Sequence, residues 1–331
     1  MAGRVAALAL AGGVACYDAD DFEGDPADLI TLQTEDGRAS LPADGFSTVT
    51  LVAVVAGGNI SAKREVQFQV DRGSFFGDSD GDRKVTLALD QDQRARVELR
   101  SDTTVGVAQV TAAVVGHEEI RRTLALEFVA PNPDDVMVVV SAPTSAPADE
   151  ATRSPFVVRV NAAIAGAAVA FETTAGTFAN GTRAISVVAD AERQAAAEVI
   201  SPSAVSSGIV SARISGVTRT MPISFEPALP DLILVVPDAL SVGAGKDVRI
   251  NGQLRRQIGK VTPGTIPTFG ARDAAGNVLG GFLSIEASNA QGQVAARYLP
   301  GSTSYRGPVE VTVGAVGTAV TGTTVIQVID P

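Results

Sequence analysis

"FQVDRGSF" at residues 68–75 and "FETTAGTF" at residues 171–178 are the same short phrase written twice. In each, a Gly follows the first Phe by five residues and a second Phe follows it by seven, and the two copies begin 103 residues apart. A spacing of that size is one small domain, so the repetition points to a copied folding unit and not to a local turn. Ahead of the turn, Val66, Phe68 and Val70 alternate with polar residues, the pattern of a strand with one face in a core. Phe68 and Phe171 are therefore expected in a core and Gly73 and Gly176 in the turn that follows. Phe75 and Phe178 are expected to close the end of the sandwich.

Working outward, the same comparison finds a third copy. Repeat openings read "ADLITLQ" from 27, "DDVMVVV" from 134 and "PDLILVV" from 230; repeat ends read "VTAAVVG" from 110, "VSARISG" from 210 and "VTVGAVG" from 311. Pro-rich stretches at 130–135 and 226–231 separate them, and Pro neither donates to a ladder nor lets the preceding residue turn helical. Further alternating runs, such as Leu51, Ala53 and Val55, then Val85, Leu87 and Leu89, then Val110, Ala112 and Val114, give several half-buried antiparallel strands per repeat. The expectation is an all-β chain of three tandem two-sheet sandwiches at 28–130, 134–227 and 230–331. Composition agrees, with 45% hydrophobic residues, 33 Gly, 17 Pro and no Trp.

These residues resemble the group 1 bacterial Ig-like domains, the repeats of invasin- and intimin-type surface proteins. The first repeat carries the likeness in "LPADGFSTVTLVAVV", "VQFQVDRGSF" and "ARVELRSDTTVGVAQVTAAVVG", the second in "APADE", "VAFETTAGTF" and "AAEVISPSAVSSGIVSARISG", the third in "ARDAAGNVLGG", "GQVAARYLP" and "VEVTVGAVG". The third lacks the paired Phe and has an irregular stretch near 251–268. The resemblance implies immunoglobulin-like β-sandwiches on a bacterial surface. The outer-membrane barrel and the terminal lectin-like unit with paired Cys that accompany such adhesins have no counterpart in the sequence.

The first fifteen residues, with Arg4 followed by an apolar run from Val5 to Ala15, read as an export signal. "GVAC" at 13–16 resembles the lipobox of bacterial lipoproteins, which implies that Cys16 is acylated and becomes the mature N-terminus. A conventional signal cleaved near Ala15, or a start inside a longer signal, are the other readings. Acyl chains stabilise membrane binding by about 0.8 kcal/mol per buried CH₂, so the expected state is tethered and not spanning. Residues 16–27, rich in Asp and Glu, would form a solvated tether.

A formal charge of −11 repels phosphate backbones, so nucleic acid is not an expected partner. One Cys and one His leave no disulfide framework, no thiolate or imidazole metal cluster and no His-based catalytic set. "HEEIR" at His117 begins like a zinc-protease motif but has Arg121 where the second His belongs; a turn histidine is expected. Glu98 and Glu198 fall at one repeat position on alternating strands, so they read as exposed faces and not as a catalytic pair. Asp78, Asp80 and Asp82, in "GDSDGDRKV", are the one candidate metal site. Alternating carboxylates in a loop suit Ca²⁺, which takes about six to eight oxygens. Arg83 and Leu89 stand where a calcium loop needs Gly and Glu, and a solvated Asp-Gly turn is the other reading.

The sequence thus describes a non-enzymatic, exported protein anchored by lipid at the bacterial cell envelope, on the cell surface or outer membrane. It would act as a spacer on the order of 100 Å long, with envelope proteins as partners. The alternative is an adhesin-like module whose distal sandwich binds a protein or glycan through an apolar patch involving Phe269, Phe282, Tyr298 or Tyr305. Exposed strand edges would also permit lateral self-association.

Overall fold

The computed structural model describes residues 26–56, 64–76, 82–301 and 304–330. The chain is three tandem immunoglobulin-like β-sandwiches, and it divides into two compact units, Met1–Asn132 and Pro133–Pro331. The second unit holds two of the sandwiches.

In the first sandwich the strands are β1 (Ile30–Thr34), β2 (Ser40–Pro42), β3 (Thr48–Val55), β4 (Glu65–Val70), β5 (Ser74–Phe75), β6 (Lys84–Ala88), β7 (Arg94–Arg100), β8 (Gly106–Val114) and β9 (His117–Val129). They form sheets ordered β1-β3-β7-β5 and β2-β9-β8-β4-β6. All pairings are antiparallel except β2 with β9, which run parallel from Ser40↔Glu127 to Pro42↔Val129. Strands one, two, five and four of the fold on one sheet, with the remaining strands on the other, is the immunoglobulin arrangement. Alternation explains the packing: β4 and β7 bury every second residue, and those residues interdigitate between the sheets.

In the second sandwich the strands are β10 (Met137–Ser141), β11 (Ser145–Pro147), β12 (Arg153–Val160), β13 (Ala168–Thr173), β14 (Thr177–Phe178), β15 (Ala184–Val188), β16 (Gln194–Ile200), β17 (Ser206–Ile214) and β18 (Val217–Glu226). Their sheets, β10-β12-β16-β14 and β11-β18-β17-β13-β15, repeat the first topology strand for strand. A helical turn, Pro133–Val136, precedes β10, so the strand starts at Met137 and not at the acidic residues of "DDVMVVV".

The repeated phrase sits at the centre of both sandwiches. Phe68 and Phe75 are buried and meet edge to face, with ring centroids 6.2 Å apart. Phe171 and Phe178 are buried likewise. Between each pair the backbone turns through a left-handed glycine, φ +81° at Gly73 and +73° at Gly176. A β-carbon on either would lie 2.5 Å from the carbonyl oxygen of Arg100 or Ile200 on the neighbouring strand, a distance no side chain tolerates.

The third sandwich departs from this plan. Its strands are β19 (Leu232–Pro237), β20 (Ser241–Gly243), β21 (Val248–Arg255), β22 (Pro267–Asp273), β23 (Gly281–Glu286), β24 (Gln293–Leu299), β25 (Gly307–Ala315) and β26 (Thr321–Ile329). They form sheets ordered β19-β21-β24-β23 and β20-β26-β25-β22. Among the described residues no strand corresponds to β6 or β15; after β22 the chain turns back and touches it through the single bridge Arg272↔Val278. The irregular stretch is shorter than the sequence suggested, because residues up to Arg255 belong to β21.

An aromatic stack replaces the paired Phe. Phe282 packs between Phe269 and Tyr298 at centroid distances of 5.2 Å to each. Tyr298 is wholly buried, and its hydroxyl donates to the Leu279 carbonyl at 2.9 Å. Burial disfavours the phenolate and pushes its pKa up to about 12, with the Tyr305 phenol adding to the effect. Tyr305 is half-buried, its hydroxyl donating to the Pro308 carbonyl at 2.7 Å. The aromatics expected to form an outer binding patch are therefore core and loop supports, because a sandwich without paired Phe must fill its interior some other way.

Candidate functional site

Sandwiches 2 and 3 meet through a built joint. Just after β11 and β2, the short strands at the start of each repeat, the first two sandwiches carry a buried Asp that organises the next turn. In sandwich 1, Asp44 accepts from the backbone N–H of Phe46 and Ser47 and from the hydroxyls of Ser47 and Ser101. In sandwich 2, Asp149 accepts from the N–H of Ala151 and Thr152 and from the Thr152 hydroxyl. The last partner differs. Beside Asp149 stands the Arg256 guanidinium of sandwich 3, Nη2 to Oδ2 3.6 Å, with Asp149 wholly buried and Arg256 partly so. The Ser201 hydroxyl, at the position of Ser101, is buried with no hydrogen-bond partner among the described residues.

Arg256 opens the connection between β21 and β22, and residues 256–266 lie along the end of sandwich 2. The Lys260 N–H donates to the Asp149 carbonyl at 2.9 Å. Its ammonium reaches Glu150 at 2.7 Å, and this hydrogen bond holds the Glu150 carboxyl below its usual range. Thr262 has a hydroxyl with both valences used across the joint: it donates to the Ala148 carbonyl at 3.0 Å and accepts from the Ala228 N–H at 2.7 Å. Arg256 also donates to the Leu229 carbonyl at 2.6 Å, fixing the linker itself.

The connection is stiff from behind. Ser288, buried in sandwich 3, donates from its hydroxyl to the Thr262 carbonyl at 3.1 Å and accepts from the Thr265 N–H at 2.9 Å. Its backbone bonds Gly264 and Thr265. The residues that grip sandwich 2 are thus clamped to sandwich 3, and no solvated hinge intervenes. Flanking the clamp is an open apolar concavity of about 490 Å³, with Val205, Leu229, Pro263, Ile266 and Val316 on its walls.

Glu150 completes the turn after Asp149. It holds φ +62°, a left-handed conformation, at the place where sandwich 1 has Gly45 at +77°. A non-glycine residue there is strained by about 1–2 kcal/mol, and such strain persists where surrounding contacts impose it. Because Gly45 shares the conformation, the turn that follows the buried Asp imposes it. In sandwich 3 the position of Asp44 and Asp149 is taken by Gly245.

The other sequence candidates fall elsewhere. Cys16, Asp78 and Asp80 lie outside the described residues; Asp82 is exposed, and its carbonyl accepts from the Phe75 N–H at 2.8 Å. Among the described residues no three His, Cys, Asp or Glu side chains cluster as metal ligands. His117 begins β9 instead of sitting in the preceding turn, with Nδ1 3.2 Å from Glu119 Oε1. Glu98 and Glu198 are exposed, and Glu198 pairs with Arg153 at 3.3 Å. The joint itself was missed. Arg256, Lys260 and Thr262 sit in a stretch without hydrophobic period, and the only signal was that stretch's irregularity.

No protein-family model matches the chain, and no curated protein matches it. Solved structures do. The chain is similar to invasin, described as a bacterial integrin-binding protein, at 20% identity and a TM-score of 0.36, over 91% of this chain and 60% of invasin. It is similar to the Yersinia pseudotuberculosis adhesin InvE at 16% identity and a TM-score of 0.40, over 60% of this chain and 59% of InvE. Likeness to the Escherichia coli adhesin FdeC is 15% identity and a TM-score of 0.36, over 92% and 98% of the two chains. The chain thus spans about three fifths of the length of invasin and InvE, and its immunoglobulin-like character rests on its own strand order.

Proposed function

We propose that this chain is an exported, lipid-anchored protein of the bacterial cell envelope that works as a structural spacer, with Cys16 as the acylated residue and sandwiches at 28–130, 134–227 and 230–331. The observation that carries the reading is the clamp at 256–266. A spacer must resist bending between its parts, and the Thr262 hydroxyl, the Arg256 guanidinium and the Lys260 ammonium remove the hinge that a bare Pro-containing linker would leave. Among the described residues no helix is long and apolar enough to cross a membrane, and a lipid at Cys16 would supply attachment.

The stiffness is tested by spin labels at exposed Ser186→Cys and Thr323→Cys in the Cys16→Ser chain, read by pulsed dipolar spectroscopy. A narrow distance distribution is expected, broadening when Arg256→Ala and Thr262→Val are introduced. A broad distribution in the parent chain would overturn the spacer reading. Intact mass of the mature protein from membranes tests the anchor separately: cleavage before Cys16 with added acyl mass is expected, and an unacylated soluble product would remove that part.

A further inference from the structure

The outward face of the sheet β19-β21-β24-β23 holds a second feature, a trough of about 300 Å³. In its floor, β21 and β24 place Asn251 opposite Ala295 and Gln253 opposite Gln293. Ala295 is small and nearly covered by its neighbours, which creates the depression; Leu234 and Val236, both exposed, form an apolar wall along β19.

The floor is unusual among the three repeats. At the positions of Asn251 and Gln253 the first sandwich has Val52 and Val54, and the second has Val157 and Arg159. Asn is a poor strand former, and a central strand exposed on one face is filled more favourably by β-branched residues. These amides are also held in fixed directions. Asn251 Nδ2 donates to Asp238 at 2.6 Å while its Oδ1 accepts from Arg249 Nε at 3.1 Å. Gln253 Nε2 donates to the Gln291 carbonyl at 2.6 Å, and Gln293 Oε1 accepts from Asn289 at 2.9 Å. Among the described residues, that leaves the Gln253 carbonyl and the Gln293 amino group unspent, side by side and of opposite hydrogen-bonding sense.

Charge narrows the ligand. Arg249 is paired with Glu286 at 3.2 Å and Arg297 with Asp247 at 2.5 Å, and the Asp238 carboxylate beside Asn251 is itself an anion, so among the described residues the trough offers no free cation to a phosphate or carboxylate. The floor strands β21 and β24 are central in the sheet, so their backbone groups are spent in its ladders and the floor itself cannot add a peptide strand, which needs an open edge. What remains is a pair of amides able to give and take hydrogen bonds beside an aliphatic wall. We infer that the trough binds a neutral oligosaccharide, adjacent hydroxyls on Gln253 and Gln293 and a pyranose C–H face on Leu234 and Val236. With no aromatic ring in the trough to stack on a sugar, binding is weak and gains strength from many copies on a surface. The contact of a single chain does not depend on the spacer reading and would survive its failure; only the gain from many copies rests on the surface anchoring proposed above.

The test is amide-resolved NMR on the full-length Cys16→Ser chain, with maltohexaose, cellohexaose, mannohexaose and chitohexaose as probes and a proline-rich decapeptide as the competing class. At least one oligosaccharide is expected to shift the side-chain amide signals of Gln253 and Gln293 and the backbone of β21 and β24. The Gln253→Ala, Gln293→Ala double variant is expected to weaken that binding at least tenfold with unchanged melting temperature. No shift from any oligosaccharide, shifts only outside β21 and β24, binding indifferent to the double variant, or binding of the decapeptide alone would each overturn it.

Discussion

Gly259 lies so close over Asp149 that a β-carbon on it would sit 2.4 Å from the Asp149 carbonyl oxygen, the same atom that accepts from Lys260. Gly259→Ala should therefore lift residues 256–262 off sandwich 2, destabilising the second compact unit by about 1–3 kcal/mol and broadening the dipolar distance distribution. Gly181→Ala is the control. Its φ of +75° is alike but nothing lies within 4 Å of a β-carbon there, so it should cost about 1 kcal/mol and leave the distances alone. Equal effects of the two would deny Gly259 its place in the joint.

Thr262→Val keeps shape and removes the hydroxyl. The Ala148 carbonyl and the Ala228 N–H then lose their shared partner in a buried place, at an expected cost of about 1–3 kcal/mol. Denaturant unfolding should show this in the transition of residues 133–331, with sandwich 1 unaffected; a change below a few tenths of a kcal/mol would mean water replaces the bonds freely.

Glu150 gives the joint a dependence on pH. Its hydrogen bond from Lys260 lowers its pKa from the ordinary 4.5, so the contribution is present above that value and is lost as pH falls through the lowered one. Both side chains are largely exposed, which keeps the effect small. The distance distribution should widen on acidification, and Glu150→Gln should widen it at neutral pH and flatten the response. Glu150→Gly removes the left-handed strain along with the ion pair, so it should leave the melting temperature nearly unchanged while loosening the joint.

Tyr298 works in the other direction. Its pKa of about 12 in the folded chain against an ordinary 10 means that unfolded chains release the proton first, so the stabilisation is full below pH 10 and disappears as pH rises through 12. Ultraviolet titration of phenolate should show one tyrosine ionising near pH 12, absent in Tyr298→Phe. Loss of the bond to Leu279 in that variant should cost about 1 kcal/mol.

Strands were legible wherever one face of a sheet is solvated, because burial of Val66, Phe68 and Val70 or of Val110, Ala112 and Val114 leaves an imprint of period two. The third core was legible in its strands and misjudged in its aromatics. Phe269, Phe282 and Tyr298 stand on different strands; the β23–β24 ladder sets Phe282 opposite Tyr298, and the packing of the two sheets adds Phe269. The joint was legible only as an irregular stretch, not as a contact. Thr262 and Ala148 are 114 residues apart, their contact depends on how two finished sandwiches abut, and polar side chains in a Gly- and Pro-containing loop carry no period to announce it.

The parallel pairing of β2 with β9, β11 with β18 and β20 with β26 has a mechanical meaning. The chain enters each sandwich on a strand of the other sheet, β1, β10 or β19, and leaves from the C-terminal end of the second member of the pair; once that entering strand is peeled off, tension along the polypeptide pulls the two parallel strands past each other in shear. Their ladder bonds, extended by Ala43 to Val129 at 2.7 Å, Ala148 to Glu226 at 2.8 Å and Ala244 to Ile329 at 3.2 Å, then share the strain together instead of opening one by one. Under such a load, the pull between the last two sandwiches would pass into a linker pinned by Thr262 and Arg256.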